Sequence, residues 1–351
     1  MDGPGENLFG KTLSELGPIV EQAGLRPFAA RQLAHWLYAR HERSFEAMRN
    51  LSLRARGWLA ERYQIRLQAP TAEAQSADGT RKYLFPAAGR YVEAAFIPEG
   101  RRATLCLSVQ VGCKMGCLFC ATGRQGFQGN LGAGEILNQV ASLPERERLT
   151  NLVYMGMGEP LDNLDNVLPS LEVLTSDWGY ALSPARITVS TVGLLPAMQR
   201  FLSNSRCHLA VSLHSPFEEE RRRLMPVQNV YPLTEVLRAL RGELSDGRRR
   251  VSFEYILFDG LNDTPRHARE LARILRGIRG RINLIPFHPI PGSPLAPSPP
   301  QRIQAFQERL KASGFITTLR KSRGLDIAAA CGLLSTKKLL EGEREKEPQE
   351  F

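Results

Sequence analysis

Two periodicities divide the chain. Near the N-terminus apolar residues recur at helical spacing: Leu33, Trp36 and Leu37 fall at i, i+3 and i+4, and Ala55, Trp58 and Leu59 repeat the pattern. The intervening faces carry Arg31, Arg40, Arg43, Arg49, Arg54, Arg56 and Arg62. Residues 1–72 therefore read as a small helical accessory domain. From about residue 80 the period changes to two. Residues 91–97 alternate as a strand would, with Glu93 on the face of Tyr91, Ala95 and Ile97. Residues 104–111 alternate again: Leu105, Leu107, Val109 and Val111 line one face, Cys106, Ser108 and Gln110 the other. Strand-like runs recur at 151–156, 186–190, 208–213, 251–257 and 281–285. Helical stretches separate them around 133–142, 164–175, 194–203, 218–242, 265–277 and 300–312, the last opening on Ser298-Pro-Pro300-Gln301 as an N-cap with proline in the first turn. Strand–helix alternation over six units predicts a parallel sheet with helices outside. The expected fold is α/β: an open, partial (β/α)6 barrel with an N-terminal β-extension over residues 73–340. A further strand is expected at 315–319, and a charged tail at 341–351.

Composition narrows the class. Of 351 residues, 42% are apolar and 23% charged, the balance of an ordinary globular chain. No apolar run reaches the roughly 18 residues that cross a bilayer. Residues 1–10 are polar and acidic, without the basic-then-apolar order of a secretory signal. A cytoplasmic location is expected, and it suits unpaired thiols. The formal net charge is +10, carried mostly by arginine. Arginine's planar fork suits phosphate, so one reading is a polyanionic partner and the other a compositional bias. Charge alone does not choose.

The chemistry-bearing residues follow the strands. Cys113-Lys-Met-Gly-Cys117-Leu-Phe-Cys120 places three thiols within eight residues, directly after residue 111. Thiolates are soft ligands for zinc or iron–sulfur clusters. Zinc sites bring paired cysteine or Cys/His clusters, whereas here the next cysteine is Cys207. Three ligands leave one metal position open, which favours a [4Fe–4S] cluster with one free iron over a zinc ribbon or unrelated buried cysteines. Four further groups close strands: Gly156-Met-Gly158-Glu159-Pro160, Ser190-Thr-Val-Gly193, Ser212-Leu213-His214 and Pro286-Phe-His288-Pro289. Parallel α/β folds build their sites at carboxyl strand ends, so these groups predict one mouth. Glu93, a carboxylate on a mostly apolar face, is costly unless paired or solvated. It reads either as an edge residue in water or as a general base in a pocket. Small residues surround Cys331, which suits a reactive thiol in a tight space or a structural one.

With these residues placed, the chain resembles the RlmN/Cfr family of radical S-adenosylmethionine (SAM) RNA methyltransferases, from about residue 25 to 335. The resemblance rests on Asp78-Gly-Thr-Arg-Lys82, Gln110-Val-Gly-Cys113, Phe119-Cys120-Ala-Thr-Gly123, Met155-Gly-Met-Gly-Glu159, Ser212-Leu-His214, Leu224-Met-Pro226 and Ala329-Ala-Cys331-Gly332. It implies that Cys113, Cys117 and Cys120 ligate a [4Fe–4S] cluster. It implies that Gly158, Glu159, Ser190, Ser212, Leu213 and His214 hold SAM, with His288 where the family usually has Asn. Cys331 would carry the methyl group, Glu93 would accept the ring proton, and Cys106 would resolve the adduct through a transient disulfide with Cys331. Two SAM molecules would serve each turnover, one to methylate Cys331 and one to supply a 5′-deoxyadenosyl radical.

The implied product is an adenosine methylated at carbon 2 in 23S rRNA, with an anticodon-loop adenosine of tRNA as a second substrate. A flavodoxin- or ferredoxin-type donor would supply electrons. The target base has to be unstacked to reach the mouth, and the basic N-terminal helices would grip the surrounding RNA. Carbon 8, the Cfr position, is the alternative: residues 212–217 look like that branch, whereas Gly158-Glu159-Pro160 and the basic N-terminus look like RlmN. Leu333 and Ala328 replace a common Gln and Asp. Two other readings are a non-catalytic, metal-stabilised RNA-binding module and a radical enzyme acting on a protein glycyl site. The strand-end groups argue against the first, and the cysteines outside the loop against the second.

Overall fold

The structure is a computed structural model that describes residues 5–243 and 249–336. Residues 1–4 of the accessory domain, 337–340 and the charged tail 341–351 lie outside the described residues. Ten strands form one sheet: β1 (Ala72–Gln75), β2 (Arg81–Ala87), β3 (Arg90–Glu99), β4 (Arg102–Cys106), β5 (Asn151–Tyr154), β6 (Ile187–Thr191), β7 (His208–Ser212), β8 (Val251–Leu257), β9 (Gly280–Pro286) and β10 (Ile316–Leu319). Each strand lies beside its predecessor in the chain. Strands β1 to β4 pair antiparallel, and β4 to β10 pair parallel. The six expected parallel strands are present, and β10 makes a seventh.

The period-two pattern explains how this sheet curls. Leu105, Leu152, Tyr154, Val189, Leu209, Val211, Phe253, Tyr255, Ile282 and Leu284 turn to one face and are buried in one continuous core. There they meet Leu137 and Val140 of α5 (Ala133–Ala141), Leu171 of α6 (Leu164–Thr175), Phe201 of α7 (Leu195–Asn204), Leu271 of α10 (Pro265–Leu275) and Phe306 of α11 (Pro300–Ala312). Each such side chain contributes about 1.5–3 kcal/mol by leaving water. Consecutive crossovers of one hand keep these five helices on that face. The opposite face, carrying Cys106, Ser190, Ser212 and Glu254, closes around a cavity.

Four expectations change. The helix expected over 218–242 is two, α8 (Glu218–Leu224) and α9 (Leu233–Glu243). Pro226 pushes Met225 into extended backbone, φ −140° and ψ 100°, and ends α8 there. Ser298 does not cap α11: the N-cap position is Pro299, and Ser298 Oγ instead donates to Asp263 Oδ2 (2.8 Å). The strand expected over 104–111 ends as β4 at Cys106; Leu107 N–H still reaches the Val153 carbonyl (2.8 Å), but Val109 turns to the Met157 carbonyl (2.8 Å). Glu93 is not an edge residue, because β3 lies between β2 and β4.

The N-terminal helices α1 (Leu13–Gln22), α2 (Ala29–Ala34) and α3 (Leu53–Arg62) share that same core. Tyr38 is their anchor. Its ring packs against Phe9, Trp178 and Tyr180, and its hydroxyl donates to the Lys11 carbonyl (2.6 Å). Gly10 approaches α5 so closely that a Cβ there would lie 2.5 Å from Gly134 Cα. Arg31, Arg40, Arg43, Arg49, Arg54 and Arg62 remain exposed. Among the described residues, no helix is long and apolar enough to cross a membrane.

Candidate active site

One cavity of about 860 Å³ opens at the carboxyl ends of the parallel strands and runs down the inner face of the sheet. Cys113, Cys117, Cys120, Gly158, Glu159, Ser190, Ser212, His214 and His288 all line it, as do Cys106 and Cys331. Two expected residues do not. Leu213 is fully buried in the core behind the sheet. Its N–H donates to the Glu254 carbonyl (3.0 Å), and its carbonyl accepts from Arg221 Nε (3.2 Å). Glu93 lies beyond the cavity wall, fully buried.

The mouth is held by backbone-directed hydrogen bonds. Gln110, just before the cysteine loop, accepts from Glu159 N–H (2.9 Å) through Oε1 and donates through Nε2 to Asp162 Oδ2 (2.7 Å). Gly158, at φ +98°, passes so close that a Cβ would meet the Gln110 side chain at 2.6 Å. The Glu159 carboxylate spans two strand ends, accepting from Leu161 N–H (3.1 Å) and Val192 N–H (3.0 Å). Burial pushes its pKa up to about 7 against those donors. His214 sits at φ +58°. Its Nδ1 accepts from Ile256 N–H (3.1 Å), and its ring meets Phe119 of the cysteine loop edge-on at 4.6 Å. Burial, reinforced by Arg221, drops its pKa to about 3, so the ring is neutral. Ser190 Oγ donates to the Tyr154 carbonyl (2.8 Å), and His288 Nε2 meets Ser322 Oγ at 2.5 Å.

Arg221 has no counterpart in the sequence reading. It is completely buried, with no carboxylate partner among the described residues. Its guanidinium donates to the carbonyls of Val192 (2.8 Å), Ser212 (3.2 Å) and Leu213 (3.2 Å) and to Gln228 Oε1 (2.7 Å). One side chain thus ties the ends of β6 and β7 together. It is the first of three consecutive arginines, and only its i+3 relation to buried Leu224 separates it from exposed Arg222 and Arg223.

A second group of residues surrounds the remaining thiols. Cys106 is buried with Ala95, Val153 and Ala329, and burial pushes its pKa up to about 12. The Cys331 loop is tied down on both sides. From α4 (Ala121–Gln125), Ala121 N–H donates to the Gly332 carbonyl (2.8 Å) and Thr122 Oγ1 to the Leu334 carbonyl (2.8 Å), and Ser335 N–H donates to Glu93 Oε2 (2.9 Å). Upstream, Gly324 N–H donates to Asp78 Oδ2 (3.0 Å). Glu93 itself pairs with Lys82 at 2.9 Å, both side chains sealed from water. Burial raises the Glu93 pKa, and Lys82 opposes that rise. The Asp78-to-Lys82 segment therefore serves the Cys331 loop from both its ends.

All six cysteines are free thiols. Among the described residues, no three His, Cys, Asp or Glu side chains converge on a position for one metal ion. Cys113, Cys117 and Cys120 fit a [4Fe–4S] cluster as three soft donors on one cavity wall. Burial pushes Cys113 up to about 12 and Cys117 well above its ordinary range, and bound iron would replace those protons.

Residues 107–272 match the Radical SAM superfamily, and residues 6–65 match the ribosomal RNA large subunit methyltransferase N-terminal domain. A probable dual-specificity RNA methyltransferase RlmN of Porphyromonas gingivalis is 57% identical over 333 residues, covering 94% of this chain and 97% of that protein. The chain belongs to the RlmN family of radical SAM methyltransferases. The dual-specificity RNA methyltransferase RlmN of Syntrophobacter fumaroxidans is 46% identical, with 92% and 96% coverage. The crystal structure of a radical SAM methyltransferase from Sphaerobacter thermophilus superposes with a TM-score of 0.86 at 41% identity, covering 94% of this chain and 99% of that one. As a radical SAM enzyme, this RlmN-family chain uses a [4Fe–4S] cluster and SAM.

Proposed function

We propose that the chain methylates carbon 2 of an adenosine in RNA, in 23S rRNA and in a tRNA anticodon loop. One observation carries this reading: two thiols beyond the cysteine loop, Cys106 and Cys331, open on the same cavity as its three. A radical enzyme that only removes a hydrogen atom needs the loop alone. A methyl carrier and a resolving thiol are needed when the product carbon is not nucleophilic and direct displacement from SAM fails.

Cys113, Cys117 and Cys120 would hold the cluster, and Gly158, Glu159, Ser190, Ser212, His214 and His288 would orient SAM. The cluster, when bound, supplies the electron that cleaves SAM to the 5′-deoxyadenosyl radical. Cys331 sulfur takes a methyl group from SAM, forming its S–CH3 bond as the sulfonium bond breaks. That carbon, after yielding a hydrogen atom to the 5′-deoxyadenosyl radical, would bond to the base, and the adduct's odd electron would return to the cluster. Glu93 accepts the ring proton. Cys106 sulfur then attacks Cys331 sulfur, breaking the bond between Cys331 sulfur and the transferred carbon; that carbon takes up a proton to complete the methyl group, and the two sulfurs are left as a disulfide to be reduced. Glu93 is fully buried, so for it to receive a proton from the base the packing over its carboxylate, Ser335 included, would have to open during turnover. Residues 1–72 form the RNA-gripping accessory module, supported by their exposed arginines. A flavodoxin- or ferredoxin-type protein supplies electrons. Six free thiols and an RNA substrate suit the cytoplasm.

The test is mass spectrometry of nucleosides from RNA incubated with cluster-loaded protein, SAM and a reductant. 2-Methyladenosine is expected, and its loss in Cys331→Ala. 8-Methyladenosine in its place would assign the chain to the other branch.

A further inference from the structure

One carboxylate in the cavity has no task in the scheme above. Glu254 lies midway along β8 on the inner face, only 5% exposed. The ladders set it between Ser212 of β7 and Asn283 of β9. Its Oε1 accepts from Ser252 Oγ (2.7 Å) and from Asn283 Nδ2 (2.8 Å). Asn283 is oriented in turn by Thr318, whose hydroxyl donates to Asn283 Oδ1 (2.6 Å). Three neutral side chains therefore fix the plane of this carboxylate. Its other oxygen, Oε2, is buried and meets no hydrogen-bond donor among the described residues. Such an orphaned acceptor is costly to bury. A group held this firmly with one oxygen unused is built for a donor that arrives with a ligand.

The surroundings indicate which ligand. Arg320 Nη1 reaches Met155 Sδ at 3.7 Å, and Met155 packs against the Cys106 cluster. Cys331 first, and then Glu254 and Cys106, lie near enough to this guanidinium to raise its pKa. Glu254 thus sits on the thiol side of the cavity, where the methyl acceptor has to lie. On the proposed reading that acceptor is an adenine. Adenine carries an amino group at its six position, whereas guanine and hypoxanthine carry a carbonyl there. We propose that Glu254 Oε2 accepts a hydrogen bond from the exocyclic amino group of the target adenine and so selects it over 6-oxopurines. Carboxylates accept from base amino groups in this way. A carbonyl at the same place would set oxygen against oxygen in a dry site.

This inference rests on RNA adenosine methylation, so the test reads ratios within one enzyme preparation. Three stem-loop RNAs carry adenosine, purine riboside or inosine at the target position. Cluster-loaded wild type should lose about 10- to 100-fold in kcat/KM from adenosine to purine riboside, and more for inosine. In Glu254→Gln the side-chain amide can donate to a carbonyl, so the adenosine-to-inosine ratio should fall at least about tenfold. Each ratio is internal to one preparation, so partial folding or cluster loading cancels. The purine riboside arm needs no variant at all. Equal use of adenosine and purine riboside by wild type would overturn the proposal. So would an unchanged ratio in Glu254→Gln accompanied by a raised KM for SAM, which would assign the carboxylate to the cofactor. Failure of wild type on every RNA would instead overturn the methyltransferase reading, and this one with it.

Discussion

Replacing Lys82 with methionine should expose how strongly the β-extension supports the Cys331 loop. Lys82 and Glu93 are 2% and 0% exposed, and 2.9 Å apart. Methionine keeps the length and removes the charge, leaving Glu93 with one neutral donor, Ser335 N–H. Stripping one partner from a buried pair costs about 3–5 kcal/mol, because the other charge is stranded. Burial already pushes the Glu93 pKa above its ordinary value, and Lys82 is the chief opposing influence. In the variant only the Ser335 N–H opposes that push. The native state then binds a proton the unfolded chain has released, so stability is present below the ordinary carboxyl range and is lost as pH rises through the folded pKa. The cost should be largest near pH 8 and should shrink toward pH 5.5. Urea unfolding followed by circular dichroism measures it: with a slope of roughly 3 kcal/mol/M, the midpoint falls by about 1–1.7 M at pH 8. The double variant Lys82→Met/Glu93→Gln should recover most of the loss, since no charge is left to strand. A cost under about 1 kcal/mol, or one equal at both pH values, would refute a sealed pair.

Three further outcomes separate the roles of neighbouring groups. Glu93→Gln keeps an acceptor for Ser335 N–H but cannot take a proton and strands buried Lys82, so the fold should persist at a cost of about 3–5 kcal/mol while product formation stops; full turnover by this variant would reduce Glu93 to a loop anchor. Cys106→Ala should accumulate a covalent protein–RNA species on denaturing gels, absent from Cys106→Ala/Cys331→Ala, and a clean release of product would remove the resolving role. Gly158→Ala sets a methyl group 2.6 Å from Gln110 at φ +98°, strain of roughly 1–3 kcal/mol at one residue. RNA-independent SAM cleavage should drop about tenfold or more with the iron–sulfur absorbance retained, and an unchanged rate would mean the Gly158 turn does not shape the cofactor site.

Much of this was legible along the chain because strands and helices announce themselves by period. The alternation at 104–111 separated Leu105 and Leu107, which enter the core, from Cys106, which enters the cavity. The rule that parallel strands end at a common mouth then gathered Cys113, Glu159, Ser190, Ser212, His214 and His288 on one cavity. Local spacing sufficed there, since each group follows its own strand.

Contacts between distant segments were not legible. Nothing local distinguishes Arg221 from Arg222, yet one is sealed against two strand ends and the other is exposed. Period two put Glu93 on an apolar face, but its partners, Lys82 and Ser335, come from another strand and from the C-terminal loop. Leu213, named for its place in a motif, turns its side chain into the core. The division has a physical cause. A residue's face is set by its own backbone torsions, which neighbouring residues reveal. Its partner is set by which remote segment packs opposite, and only the register of three paired strands brings Glu254, Asn283 and Thr318 into one line.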